Sequence, residues 1–266
     1  MNAYAPIRKV PLDYNGIQSS AFSVQMEKVK EGELPKWNEV GVVGNKYLLI
    51  PNKEVKELAS NIATESKLNW EPLNTFFDGK RYFNGMICKS QTSEVSEGDD
   101  VALGMGFWNS YDGSTALSFR LFLVRLVCTN GMMTKDFFSS YRFKHDNTSE
   151  DYQEEIIKAA NIINNSEEQV EVIMNKFRKM NGMKLDLNAL SSIRKYLPSL
   201  PVTTWGKIVD QYLSKYHLDE DYGEPNNNYW DFYNACTDIL WHEKKPTTAS
   251  FNHNAYITDQ LLGAIA

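Results

Sequence analysis

The chain has 266 residues, 42% of them hydrophobic and 12% aromatic, and a formal net charge of −6. This composition excludes a disordered chain, and the charge excludes a polycation that coats DNA by charge alone. Residues 1–149 hold 17 basic and 17 acidic residues, so the acidic surplus falls entirely in 150–266.

Residues 1–40 read as irregular, with Pro6, Pro11 and Pro35 as punctuation. The opening MNAYAPIRKV lacks the apolar stretch of a signal peptide, and no run approaches the roughly 20 apolar residues of a membrane span. Val40–Ile50 predicts a hairpin turning at Gly44-Asn45. A helix is expected over about 53–66, where Val55, Leu58, Ala59 and Ile62 recur at helical spacing. Trp70–Phe77 and Arg81–Lys89 flank Asp78-Gly79, a strong hairpin signal. Residues 101–108 predict a further strand, reached across the acidic loop SEVSEGDD. Asn109–Gly113 supplies turn chemistry, and Ser114 and Thr115 are candidate caps for an apolar helix over 115–129 that Asn130-Gly131 would end. Phe137–Lys144 reads as a short strand or extended segment.

From about residue 150 the pattern turns helical. Ser149–Asp151 can cap a helix to about 164, and NNSEEQ restarts one to about 180. LDLNALSSIRKYL, TWGKIVDQYLSKY, YWDFYNACTDILWHEK and ITDQLLGAI supply the rest. The fold class is therefore α+β: an antiparallel β-meander packed by helices over 1–149, then a mainly helical region over 150–266, packed on that core.

Catalytic and metal signals are weak. The histidines are His145, His217, His242 and His253, without metal-ligand spacing, and Gly104-Met-Gly106 lacks the third glycine of a dinucleotide fingerprint. Cys88, Cys128 and Cys236 read as reduced core residues of a cytoplasmic protein. No catalytic residue, metal or cofactor is expected. Nucleic-acid contact has better candidates. Aromatics of the meander, including Tyr82 and Trp108, interleave with Arg81, Arg120, Arg125, Arg142 and Lys144. Aromatic rings stack on unpaired bases, and basic groups track the phosphates. The competing reading is structural, since aromatics fill cores and an arginine stem packs along apolar surface.

Three blocks carry a family resemblance: VGNKYLLIPNKEV near residue 45, NSYDGS followed by VCTNGM, and the helix Tyr229–His242 with its W-x-x-x-N-A-x-T pattern. Over roughly residues 40–255 the chain resembles phage and plasmid proteins that carry domain of unknown function nine-three-two. That resemblance implies a virus or mobile element, in the cytoplasm of its bacterial host, and no particular chemistry. A more distant one covers about 45–131. Helix 53–66, then W-x-P…F-F-D-G-K-R-Y-F-N-G, a strand with G-M-G and a helix ending in Asn-Gly are similar in order to the single-strand annealing superfamily typified by eukaryotic Rad fifty-two. It implies a β-β-β-α core, ring or filament assembly, and ATP-independent annealing.

The expected function is thus single-stranded-DNA binding and annealing of the recombination type, by a homo-oligomer with no membrane segment. Arg81, Tyr82, Trp108, Arg120, Arg125, Arg142 and Lys144 would carry it. The alternative is a viral interaction module that binds a protein through the acidic helical half, with Trp230, Tyr233 and Trp241 as an anchor patch.

Overall fold

Asn15-Gly16 has positive φ at both residues, 54° and 82°. This is the backbone a two-residue turn needs to match the twist of two antiparallel strands. In the computed structural model it joins β1 (Ile7–Tyr14) to β2 (Ile17–Lys28). The model describes residues 2–29, 32–126, 130–132, 140–142, 152–197, 200–216, 228–243 and 248–264. Strand β3 (Lys36–Gly44) completes an antiparallel sheet of order β1-β2-β3. The first 40 residues are therefore not irregular. Pro11 is tolerated because β1 is an edge strand, where a missing N–H costs no ladder bond, and the register shifts immediately after it. The expected hairpin over Val40–Ile50 is corrected too: β3 ends at Gly44, and 47–50 form no strand.

Helix α1 (Asn52–Glu65) buries Val55, Leu58, Ala59 and Ile62 along one face, as its spacing predicts. Strands β4 (Glu71–Phe77) and β5 (Arg81–Ser96) flank the Asp78-Gly79 turn, and Gly79 takes φ 100°. Strand β5 runs into the segment read as an acidic loop, and β6 spans Asp99–Ser110.

The largest correction follows. Residues Ser118–Arg125 form strand β7, not a helix. Ser114 and Thr115 lie in the connection before it. Asp112 accepts a bond from the Ser114 N–H at 3.0 Å, and the Ser110 hydroxyl donates to the Thr115 carbonyl at 2.9 Å. Asn130-Gly131 ends no helix, because Asn130–Met132 is strand β8, with Gly131 opposite Val124. Ser140–Arg142 is strand β9. The six-stranded sheet has order β4-β5-β6-β7-β8, with β9 also paired to β7.

Seven helices are described in all, six of them after residue 150: α2 (Tyr152–Asn164), α3 (Glu167–Gly182), α4 (Leu187–Tyr196), α5 (Val202–Tyr216), α6 (Tyr229–Asp238) and α7 (Thr248–Ala264). Their starts have physical causes. Asp186 accepts from the Ala189 N–H at 2.7 Å, and Asn228 from the Asp231 N–H at 2.8 Å. One π-helical turn, Ile239–Glu243, continues α6. The chain is α+β, with its mainly helical part in the C-terminal half.

Two compact units cut across the change from strand to helix near residue 150. One comprises 1–86, 105–121 and 140–164, and the other 87–104, 122–139 and 165–266. In the first unit, Val24, Met26, Val40, Val43 and Tyr111 form a core, with Phe22, Tyr47 and Phe77 against it. Above it lies a polar strip. The Pro51 cap gives α1 no side-chain bond, so the Asn52 N–H would be an orphan; it donates instead to the Tyr111 hydroxyl at 3.0 Å. Asn109 Nδ2 donates to the Ile50 carbonyl at 2.9 Å, and the Tyr47 hydroxyl donates to the Ser110 carbonyl at 2.6 Å. The NSYDGS block thereby holds the VGNKYLLIPN block.

Gly41 tests this packing. A Cβ there would lie 2.6 Å from the Tyr111 carbonyl oxygen, which is backbone and cannot swing aside. Gly41→Ala should destabilise the chain by about 2 kcal/mol in urea unfolding. An unchanged midpoint would contradict the packing described.

Candidate functional site

Antiparallel pairing of β7 with β9 sets Ser118 opposite Arg142 and Arg120 opposite Ser140. Arg120 and Arg142 are thus diagonal neighbours on one face, because side chains alternate along a strand. Arg142 is exposed and Arg120 half-buried. Burial and the Arg142 guanidinium both push the Arg120 pKa down. Arginine stays charged in proteins, so the shift records the cost of burying that charge beside a second one. The Arg120 guanidinium also lies 5.7 Å from the centroid of the Trp108 ring.

The other expected contacts scatter. Trp108 is buried and packs on Phe83 with centroids 4.8 Å apart, so it presents no stacking face. Tyr82 is buried, its hydroxyl 3.1 Å from that of Tyr4, and burial pushes its phenol far up. Arg81 is exposed but bound to Asp78 at 3.0 Å. Burial pushes the Asp78 carboxyl up; the Arg81 and Lys80 N–H groups and the Arg81 charge outweigh it and hold it below its ordinary value. Lys144 lies outside the described residues.

Arg125 belongs to the second unit and is committed there. Its Nε and Nη2 donate to the two oxygens of Asp99 at 2.6 and 2.7 Å, a bidentate pair with side chains only 12% and 9% exposed. Trp230 Nε1 donates to the same carboxylate at 2.7 Å. Arg125 is therefore held as the cation partner of Asp99. The same interior absorbs the aromatic anchor patch. Trp230 and Tyr233 are buried, the Tyr233 hydroxyl lies 2.8 Å from that of Thr258, and Trp241 packs on Phe122 with centroids 5.6 Å apart. Gly131 has no room for a Cβ against the Trp241 ring, and its carbonyl accepts from Asn254 Nδ2 at 2.8 Å. Here the NGM segment meets the Tyr229–His242 block.

The matching family model covers residues 39–262, and its description is a domain of unknown function, DUF932. The chain belongs to the DUF932 family. No curated protein and no solved structure matches it. The more distant superfamily resemblance is not confirmed, and where it expects a basic helix this DUF932 domain has strand β7. Among the described residues no helix is long and apolar enough to cross a membrane, and no group of three or more His, Cys, Asp or Glu could hold a metal ion. Cys88 and Cys236 are buried free thiols.

One exposed pairing escaped the sequence reading. Arg8 lies over the Trp37 ring at 4.0 Å, held by Gln25, which accepts its Nε at 3.0 Å. Strand alternation over 7–10 and 36–39 could have revealed it.

Two predictions follow from the Asp99 cluster. Arg125→Met leaves a buried carboxylate without its cation and should cost about 3 kcal/mol in urea unfolding, largely recovered by adding Asp99→Leu. Equal stability of Arg125→Met and wild type would refute the structural assignment. The second concerns Asp231. Burial pushes its carboxyl up to about 6, Arg125 opposes this, and Asp99 adds to it. A raised folded-state value favours the folded chain while Asp231 is protonated. That contribution is complete below the ordinary value of 3.8 and is lost as pH rises through about 6. Wild type should therefore lose stability relative to Asp231→Asn between about pH 4 and about pH 6. A pH-independent difference between the two would refute it.

Proposed function

We propose that this DUF932 domain binds a single-stranded nucleic acid through its phosphates, without performing bond chemistry. The observation that supports this is the diagonal placement of Arg120 and Arg142 on β7 and β9. Two like charges this close repel each other, and a phosphate between them offsets the repulsion while accepting planar, bidentate bonds. Base stacking is not part of the proposal, because Tyr82 and Trp108 are buried. Annealing is not part of it either, since the helix on which that resemblance depends is strand β7. The setting we propose is the cytoplasm of a bacterium that carries a phage or plasmid, where single strands arise in replication and recombination. A homo-oligomer would repeat the pair along one strand.

Fluorescence anisotropy with labelled oligonucleotides over a salt series tests the proposal. Each phosphate contact on a single strand contributes about −0.7 to the slope of log K against log salt. The double variant Arg120→Gln/Arg142→Gln should lose roughly 1.4 of that slope and bind all sequences more weakly to a similar degree. Absence of binding at low salt, or an unchanged slope in the double variant, removes this function. Light scattering on the same samples reads the assembly state.

A further inference from the structure

A second site in the first unit is lined by residues other than the arginine pair. A cavity of about 180 Å³ opens beside α1, walled by Ile50, Leu58, Leu117 and Ile156 and edged by Glu54 and Glu57. All four apolar residues are themselves buried against the chain, so the walls are preformed. The size is that of cavities known to admit a small hydrocarbon: about 150 Å³ suffices for benzene, or about six heavy atoms.

The edge has the opposite character. Glu54 and Glu57 are three residues apart on a helix, which sets them on one face. Glu57 meets Lys53 only at 3.8 Å, in a widely exposed pair, and Glu54 makes no ion pair among the described residues. Burial, and then the charge of Glu57, push the Glu54 carboxyl above its ordinary value. An acid in the first turn of a helix is ordinary, because the helix N-terminus favours negative charge. That accounts for Glu54 itself but not for the apolar hollow beneath it. An apolar hollow edged by two close carboxylates is complementary to one kind of molecule, a short apolar chain ending in a cation. A compact ammonium on a flexible stem suits this better than a planar guanidinium, which prefers a single carboxylate in its fork.

We propose that this cavity binds a short aliphatic amine, with its methylenes against Ile50, Leu58, Leu117 and Ile156 and its ammonium at Glu54 and Glu57. The site is independent of the nucleic-acid reading and shares no residue with it.

An NMR titration of the full chain with hexylamine, hexanol and hexanoate, read at the isoleucine and leucine methyl groups, tests the assignment. Hexylamine should shift Ile50, Leu58, Leu117 and Ile156 saturably. Hexanol should bind about tenfold more weakly, since it lacks the charge-assisted bond, and hexanoate not at all. Glu54→Gln or Glu57→Gln should bring hexylamine down to the affinity of hexanol; both substitutions are on exposed edges and leave the apolar walls in place. Leu58→Phe should block both hexylamine and hexanol, with thermal unfolding as the check that the variant is folded. No saturable shift at these four residues overturns the proposal. So does equal binding of hexylamine and hexanol, or unchanged affinity in both glutamine variants.

Discussion

Strand β6 is buried along nearly its whole length, yet it carries a charged group at its start and a run of polar groups at its end. A buried polar group is costly unless it is hydrogen-bonded, and a buried charge costs far more. Each end of β6 is therefore a constraint on whatever packs there. At the start, Asp99 is satisfied by Arg125 and Trp230, so β7 and α6 must place those donors correctly. At the end, Asn109, Ser110 and Tyr111 receive or supply the bonds of Tyr47, Ile50 and the first turn of α1. Slipping β6 by one residue would turn every one of these groups to the wrong face, which is why its register is so strongly specified.

The blocks that carry the sequence resemblance fall on these same constraints. NSYDGS binds the segment before α1. The NGM segment and Tyr229–His242 meet at Gly131, Trp241 and Asn254. A Cβ at residue 131 would collide with the Trp241 ring. The motif residues are thus mostly spent on packing and hydrogen bonding within each unit.

Legibility followed the local signal. Asp78-Gly79, the apolar face of α1 and the starts of α3 and α4 each announce themselves within a few residues, and each was readable. Ser118–Arg125 was not. Its burial is nearly continuous, and a short apolar run without a period of two or 3.6 fits a buried strand as well as a helix. β1 was hidden by Pro11, whose acceptability depends on being at a sheet edge, which is not local information. The site was read in the same uneven way. Arg120 and Arg125 were identifiable as cations in apolar surroundings, and Arg142 as a further basic residue. Which of them is neutralised internally depends on Asp99, 26 residues from Arg125 along the chain, and on Trp230 a further 105 residues on.

That sorting of the arginines is where structure bears on function. Arg125 has two short charge-assisted bonds to Asp99, and any phosphate would have to displace a partner already held in ideal geometry and shielded from water. Arg81 holds Asp78 at the surface, where an ion pair is worth little and can be exchanged. Arg120 and Arg142 are diagonal neighbours of like charge, so an anion beside them offsets a repulsion. The proposed phosphate contact rests on this pair. It became visible only once 118–125 was a strand, because on a helix Arg120 would share its face with residues three and four away and not with a second strand's Arg142.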